Sequence, residues 1–162
     1  MQAIVAVYSD YGIGDGVTQP IVLKADRVHF REVTAGASVL VGRKTLGDFP
    51  GGKPLKGRKN IVITRQNIEV EGALMVHSTE EALAASEGGI CICIGGASVY
   101  EQFFPYFDKV YLTKIDCCPE SSRFFPNLDV LPDWCCTDAG EELEEDGIRY
   151  RFCVYERIKA NV

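Results

Sequence analysis

Short runs of almost uninterrupted apolar residues, alternating with helix-like stretches, constrain this chain more than any other feature. Residues 3–8, 38–41, 60–63, 74–76 and 90–94 read as strands, with helical patterns after the first, second, fourth and fifth. A strand that is apolar on both faces must be covered on both, which predicts a three-layer α/β fold around a mixed, mainly parallel sheet. Ser78 and the acidic residues Glu80 and Glu81 mark a helix start there, and Pro105 ends a helix expected over 97–104. From Val110 onward strands dominate, over 110–115, 134–137 and 148–157. The acidic tract 141–146, closed by Gly147, is expected to be the hairpin connection between the last two.

With 162 residues, 46% of them hydrophobic, the chain suits one domain spanning 1–162. A formal net charge of -6 argues against nucleic acid or an anionic membrane as partner, because the long-range field repels phosphate polymers. No apolar run approaches a membrane span and the N-terminus lacks a signal-peptide layout, so a soluble, cytoplasmic protein is expected. The seven cysteines show no C-x-x-C spacing, and Cys91 and Cys93 sit inside an apolar run, so all seven are read as reduced thiols and no metal site is expected.

In parallel sheets ligands gather where strands end and helices begin. Gly42, Arg43, Lys44 and Thr45 put helix-start amides, two cations and a hydroxyl at one such junction. Thr64 and Arg65 add a hydroxyl and a guanidinium at the next. Both suit phosphate, although solvated surface cations would read the same way. At the third, Gly95 and Gly96 allow close backbone approach before Ala97, Ser98, Val99 and Tyr100. Neither this junction nor the segment Gly12, Ile13, Gly14, Asp15, Gly16 fits a G-x-G-x-x-G fingerprint, which disfavours an ordinary Rossmann site. The latter segment reads as a loop able to cover a site.

One residue looks misplaced. Leu23, Asp26, Phe30 and Val33 fall along one helical stripe, and a carboxylate on a buried stripe is costly unless something polar meets it. The alternative is a partly exposed acid favoured by the helix dipole.

Taken in order, Ala6, Ile13-Gly14, Leu23-x-x-Asp26-x-x-x-Phe30, Val41-Gly42-Arg43-Lys44-Thr45, Pro54-Leu55-x-Gly57-Arg58-x-Asn60, Ile94-Gly95-Gly96, Val99-Tyr100, Tyr111-Leu112-Thr113 and Phe125-Pro126 resemble the dihydrofolate reductase family across almost the whole chain. The resemblance implies an eight-stranded sheet with about four helices and its last strand antiparallel. It implies hydride transfer from NADPH to C6 of dihydrofolate with protonation at N5. Asp26 would accept from the pterin's N3 and 2-amino group, oriented by Thr113, and burial would raise its pKa. Ile4 and Ile94 would line the pterin pocket, Ala6 would touch both ligands, and Phe30, Phe49 and Leu55 would pack on the substrate rings. Arg58 would take the glutamate carboxylate. Ile13, Gly14, Asp15, Gly16, Gly42, Arg43, Lys44, Thr45, His77, Ile94, Gly95, Gly96, Ala97, Ser98, Val99, Tyr100 and Gln102 would hold the cofactor, with Thr64 and Arg65 at its 2'-phosphate. The resemblance also implies a cis peptide between Gly95 and Gly96, antifolates such as trimethoprim or methotrexate as inhibitors, and a monomer.

The chain departs from the family pattern at Ile21, where a tryptophan is common, at Leu46, usually aromatic, and at Gln19, often methionine or leucine. Two other readings remain: a pyrimidine reductase of flavin synthesis, which would not need Asp26, Phe30 and Arg58 together, and a non-catalytic nucleotide-binding domain.

Overall fold

The computed structural model describes residues 1–159. Its elements are β1 (Gln2–Val7), α1 (Lys24–Thr34), β2 (Ser38–Gly42), α2 (Arg43–Gly47), β3 (Lys59–Ile63), β4 (Ala73–Val76), α3 (Thr79–Ala85), β5 (Cys91–Gly95), α4 (Ala97–Phe103), β6 (Lys109–Ile115), β7 (Trp134–Asp138), β8 (Leu143–Glu145) and β9 (Ile148–Arg157). They form one sheet in the order β4-β3-β2-β5-β1-β6-β9-β7. Pairings from β4 across to β6 are parallel, and β9 runs antiparallel to both β6 and β7. The chain steps outward from β2 to β4, then returns to insert β5 between β2 and β1. Connections therefore leave the sheet in opposite senses near β5, the position at which such sheets form a ligand crevice.

The apolar strands are covered on both faces. On β1, Ala3, Val5 and Val7 enter a cluster with Phe103 and Phe107, whereas Ile4 enters the opposite cluster with Val39, Val41, Ile92 and Ile94, against which Phe30 and Val33 of α1 pack. Each fully buried Leu, Ile or Phe in these layers is worth about 1.5–3 kcal/mol relative to exposure.

The acidic tract 141–146 is more than a connection. Residues Leu143–Glu145 form a ninth strand, β8, paired with β9, and only Asp146 and Gly147 turn the chain. Both have positive φ, 51° and 80°, which matches the right-handed twist of a tight hairpin. The helix before Pro105 stops at Phe103 and tightens into a 3-10 turn over Phe104–Tyr106. At α3 the expected cap is present: the Ser78 side chain accepts from the Glu81 amide at 3.1 Å.

Helix α1 starts without a side-chain cap of its own, since Leu23 stands at that position. The Glu145 carboxylate of β8 supplies the cap from 120 residues away, accepting from the Lys24 and Ala25 amides at 2.7 and 2.9 Å. An anion there also favours the helix dipole. Trp134, the sole tryptophan, is structural: it is buried beside Phe104 with the Arg157 guanidinium 4.6 Å from its ring.

Candidate active site

The first turn of α1 brings Asp26 over β6. Thr113, fully buried on β6, donates its hydroxyl to Asp26 Oδ1 at 2.6 Å. Asp26 is half-buried, between the buried-stripe and the partly exposed readings, and its polar partner is on β6. Burial pushes its carboxyl above the usual range; the Thr113 donor and His29 pull it back, and Glu145 adds to the rise. Phe30, Phe49 and Leu55 pack against the cluster containing Ile4 and Ile94, which forms an apolar wall on the α1 side of the sheet.

Arg58 lies at the far end of α1. Its Nε donates to Thr34 Oγ1 at 3.0 Å, Nη1 to the Lys56 carbonyl at 2.7 Å and Nη2 to the Arg31 carbonyl at 3.4 Å. These acceptors are neutral, so the guanidinium is oriented while its charge stays available to an anion. Buried Asn60 fixes the approach to it by accepting from the Leu55 amide and donating to the Leu55 and Arg58 carbonyls.

On the other side of β5 the three junctions line one cleft of about 650 Å³. Asp15, Gly16, Gly42, Arg43, Lys44, Thr45, Thr64, Arg65, His77, Gly96, Ala97, Ser98, Val99 and Gln102 all face it. Arg43, Lys44, Arg65 and Arg123 set four cations against the single carboxylate of Asp15, a local excess of positive charge in an acidic chain. Asp15 is occupied within its own loop, where the Thr18 and Val17 amides and the Thr18 hydroxyl hold its carboxyl below the usual range. His77 is oriented by its Nδ1 contact with the Thr64 carbonyl at 2.8 Å.

A smaller cavity of about 110 Å³ continues from this cleft toward β1, lined by Ala6, Ile13, Gln19, Ile94, Gly95 and Tyr100 among others. Gly95 and Gly96 are joined by a cis peptide. A Cβ on Gly96 would stand 2.2 Å from the Gly16 carbonyl oxygen and 2.7 Å from Thr45 Oγ1, so only glycine fits this approach. Tyr100 is buried and donates to the Ile4 carbonyl at 2.7 Å. Gln19 donates through Nε2 to the Ala6 carbonyl at 2.8 Å, which puts a polar amide at the departure noted above. The loop between them is held at Gly14, whose amide donates to Ser121 Oγ and whose carbonyl accepts from Ser122 and Arg123, while the Gly16 carbonyl accepts from Ala97.

Sequence reasoning missed Arg123 in the cleft, because it comes from a loop 107 residues beyond Gly16 and carries no local signal. Gln66, next to Thr64 and Arg65, also lines the cleft and was within reach of the same junction argument. All seven cysteines are free, and burial pushes Cys91 up to about 11 and Cys93 up to about 12, as expected of inert core thiols. Among the described residues no group of side chains could hold a metal ion, and no helix is long and apolar enough to cross a membrane.

A basic cleft beside a carboxyl-bearing apolar wall, both at the carboxyl ends of one mainly parallel sheet, defines an α/β protein that can seat a phosphate-bearing ligand next to an apolar one. The dihydrofolate reductase family model matches residues 1–157, and the chain belongs to that family. Similar proteins include the dihydrofolate reductase of Bacillus subtilis (strain 168), 36% identical over 149 residues, covering 90% of this chain and 87% of that protein. That of Neisseria gonorrhoeae is 36% identical and covers 94% of each. Among solved structures, the dihydrofolate reductase from Enterococcus faecalis complexed with NADP(H) and RAB-propyl superposes with a TM-score of 0.84 at 30% identity, covering 96% of this chain and 95% of that one.

Proposed function

We propose that this protein reduces dihydrofolate to tetrahydrofolate with NADPH, and that the Asp26–Thr113 pair is where it grips the pterin. The observation that carries this reading is the 2.6 Å bond from a fully buried hydroxyl to a carboxyl at the apolar wall. Asp26 as carboxylate accepts two N–H bonds, from the pterin's N3 and 2-amino group, and Thr113 fixes the plane in which it does so. Phe30, Phe49, Leu55, Ile4 and Ile94 exclude water from the ring faces, and Arg58 meets the substrate's glutamate carboxylate.

The donor set of the basic cleft fits NADPH. Gly42, Arg43, Lys44, Thr45 and the start of α4 at Ala97, Ser98 and Val99 hold the pyrophosphate, with Gln102 at the rim. Thr64, Arg65 and His77 meet the 2'-phosphate, giving preference over NADH. Ala6, Ile13, Ile94, Gly95, Gly96 and Tyr100 shape the cavity that leads to the pterin, with Asp15 and Gly16 in the loop above it and Gly14 tethering that loop. NADPH, when bound, supplies the hydride to C6. One proton is taken up at N5 in each turnover, so turnover falls as pH rises.

A monomeric enzyme working as one domain in the cytoplasm belongs to the same family reading. The family reading brings antifolates such as trimethoprim and methotrexate as inhibitors at the pterin pocket. The test is NADPH oxidation followed at 340 nm with and without dihydrofolate, repeated with NADH. Oxidation should require dihydrofolate and strongly prefer NADPH, and Asp26→Asn should abolish most turnover while still binding NADPH. Unchanged turnover in that variant would remove Asp26 from the site.

A further inference from the structure

His29 is a titratable group that the reaction above leaves unused. It follows Asp26 by three residues on α1, so the two side chains are neighbours on the helix surface. Its ring stacks on Phe152, with centroids 4.0 Å apart and planes at 21°. Phe152 is the β9 residue paired across the sheet with Thr113, whose hydroxyl binds Asp26. Helix, strand pair and hydrogen bond thus close a ring of four side chains. Within it His29 Nε2 is buried and has no hydrogen-bond partner, so packing rather than a polar contact fixes the imidazole.

We infer that His29 is a positioning residue for Asp26: held on Phe152 beside the carboxyl, its imidazole sets how readily Asp26 keeps its proton. A protonated His29 favours the Asp26 carboxylate, and by reciprocity the carboxylate favours the imidazolium. The charged groups bearing on the pair are Asp26 and Glu32 of α1, which attract a proton to His29, and Glu145 of β8, which bears on Asp26; Phe152 and Thr113 from β9 and β6 are uncharged. Burial outweighs both attractions and keeps His29 below its ordinary value. The ring is therefore neutral at neutral pH and charges only in acid, where it resists protonation of Asp26 and extends downward the pH range over which the pterin meets a carboxylate. That last consequence rests on the assigned reaction; the coupling does not.

The chain has two histidines, so both ring signals resolve in one NMR titration, and His77, in the other cleft, serves as the internal reference. In Asp26→Asn the His29 midpoint should fall by about 0.5–1 pH unit, as expected for losing an anion at neighbouring helix positions, while His77 stays fixed. The reciprocal variant, His29→Phe, keeps a ring on Phe152. There the Asp26 carboxyl carbon should titrate higher by a similar amount. Identical His29 midpoints with and without the Asp26 carboxylate, or an unmoved Asp26 in His29→Phe, would overturn the proposal. A coupled titration in a protein whose NADPH oxidation never needs dihydrofolate would leave it standing and overturn the reaction instead.

Discussion

Replacing Thr113 by valine is the sharpest perturbation the site offers. Valine has the shape of threonine, so the fully buried position on β6 stays filled and only one donor is lost. A hydrogen bond to a charged group contributes about 1.5–3 kcal/mol net. Asp26 is half-buried and water can replace part of the donor, which points to the lower end, about 1.5 kcal/mol. The hydroxyl lowers the Asp26 pKa, so its removal raises it, and the loss of kcat/KM that sets in as Asp26 is protonated on the acid side should begin at higher pH. The same free energy withdrawn from the oriented carboxylate lowers kcat/KM for dihydrofolate about tenfold at pH 7. The assay is kcat/KM for dihydrofolate from pH 5 to 9 at saturating NADPH, with KM for NADPH expected to be unchanged. Thr113→Ser, which keeps the hydroxyl, should restore the profile. A wild-type profile in Thr113→Val would refute the idea that this bond governs the acid.

Two further outcomes follow from the same geometry. Gly96→Ala drives a Cβ to 2.2 Å from a backbone carbonyl, an overpacking of about 1–3 kcal/mol that must displace the Gly16 loop. NADPH affinity measured by fluorescence titration should weaken at least fivefold, and wild-type affinity would show that the loop need not sit there. In Asp26→Asn the sign is fixed by the raised carboxyl: the native state bears no penalty below the ordinary carboxyl pKa and the full penalty above the raised one. The variant's melting temperature should therefore match the wild type near pH 3 and exceed it at pH 8, by about 2–4 °C for each kcal/mol relieved. A variant less stable at pH 8 than at pH 3, relative to wild type, would contradict burial as the cause.

The sheet was legible because its strands are apolar on both faces, and that pattern has few solutions. Junction residues such as Arg43, Thr64 and Gly96 were legible for the same reason, since strand ends are where such sheets bind. What escaped depends on contacts distant in sequence. Nothing near Lys24 announces that Glu145 caps α1, and nothing near residue 123 announces a place in the cleft. The acidic tract 141–146 carries no strand signal, because Asp and, less so, Glu are poor strand formers, yet pairing with β9 outweighs that preference over three residues. Asp26 looked like a choice between buried and exposed; the protein keeps it half-buried and satisfies it from β6.

The amide of Ala97, at the mouth of the cleft, is bonded to Gly16, and the same loop is tied at Gly14 to residues 121–123. Ser121 lines neither the cleft nor the cavity beside it, yet it helps decide whether the cleft wall stands in place. A change there is a tax on the binding-competent population, so it rescales apparent cofactor affinity by a constant factor and leaves the contacts themselves intact. Such variants would pass unnoticed in any screen run at saturating cofactor and emerge only when the cofactor is scarce.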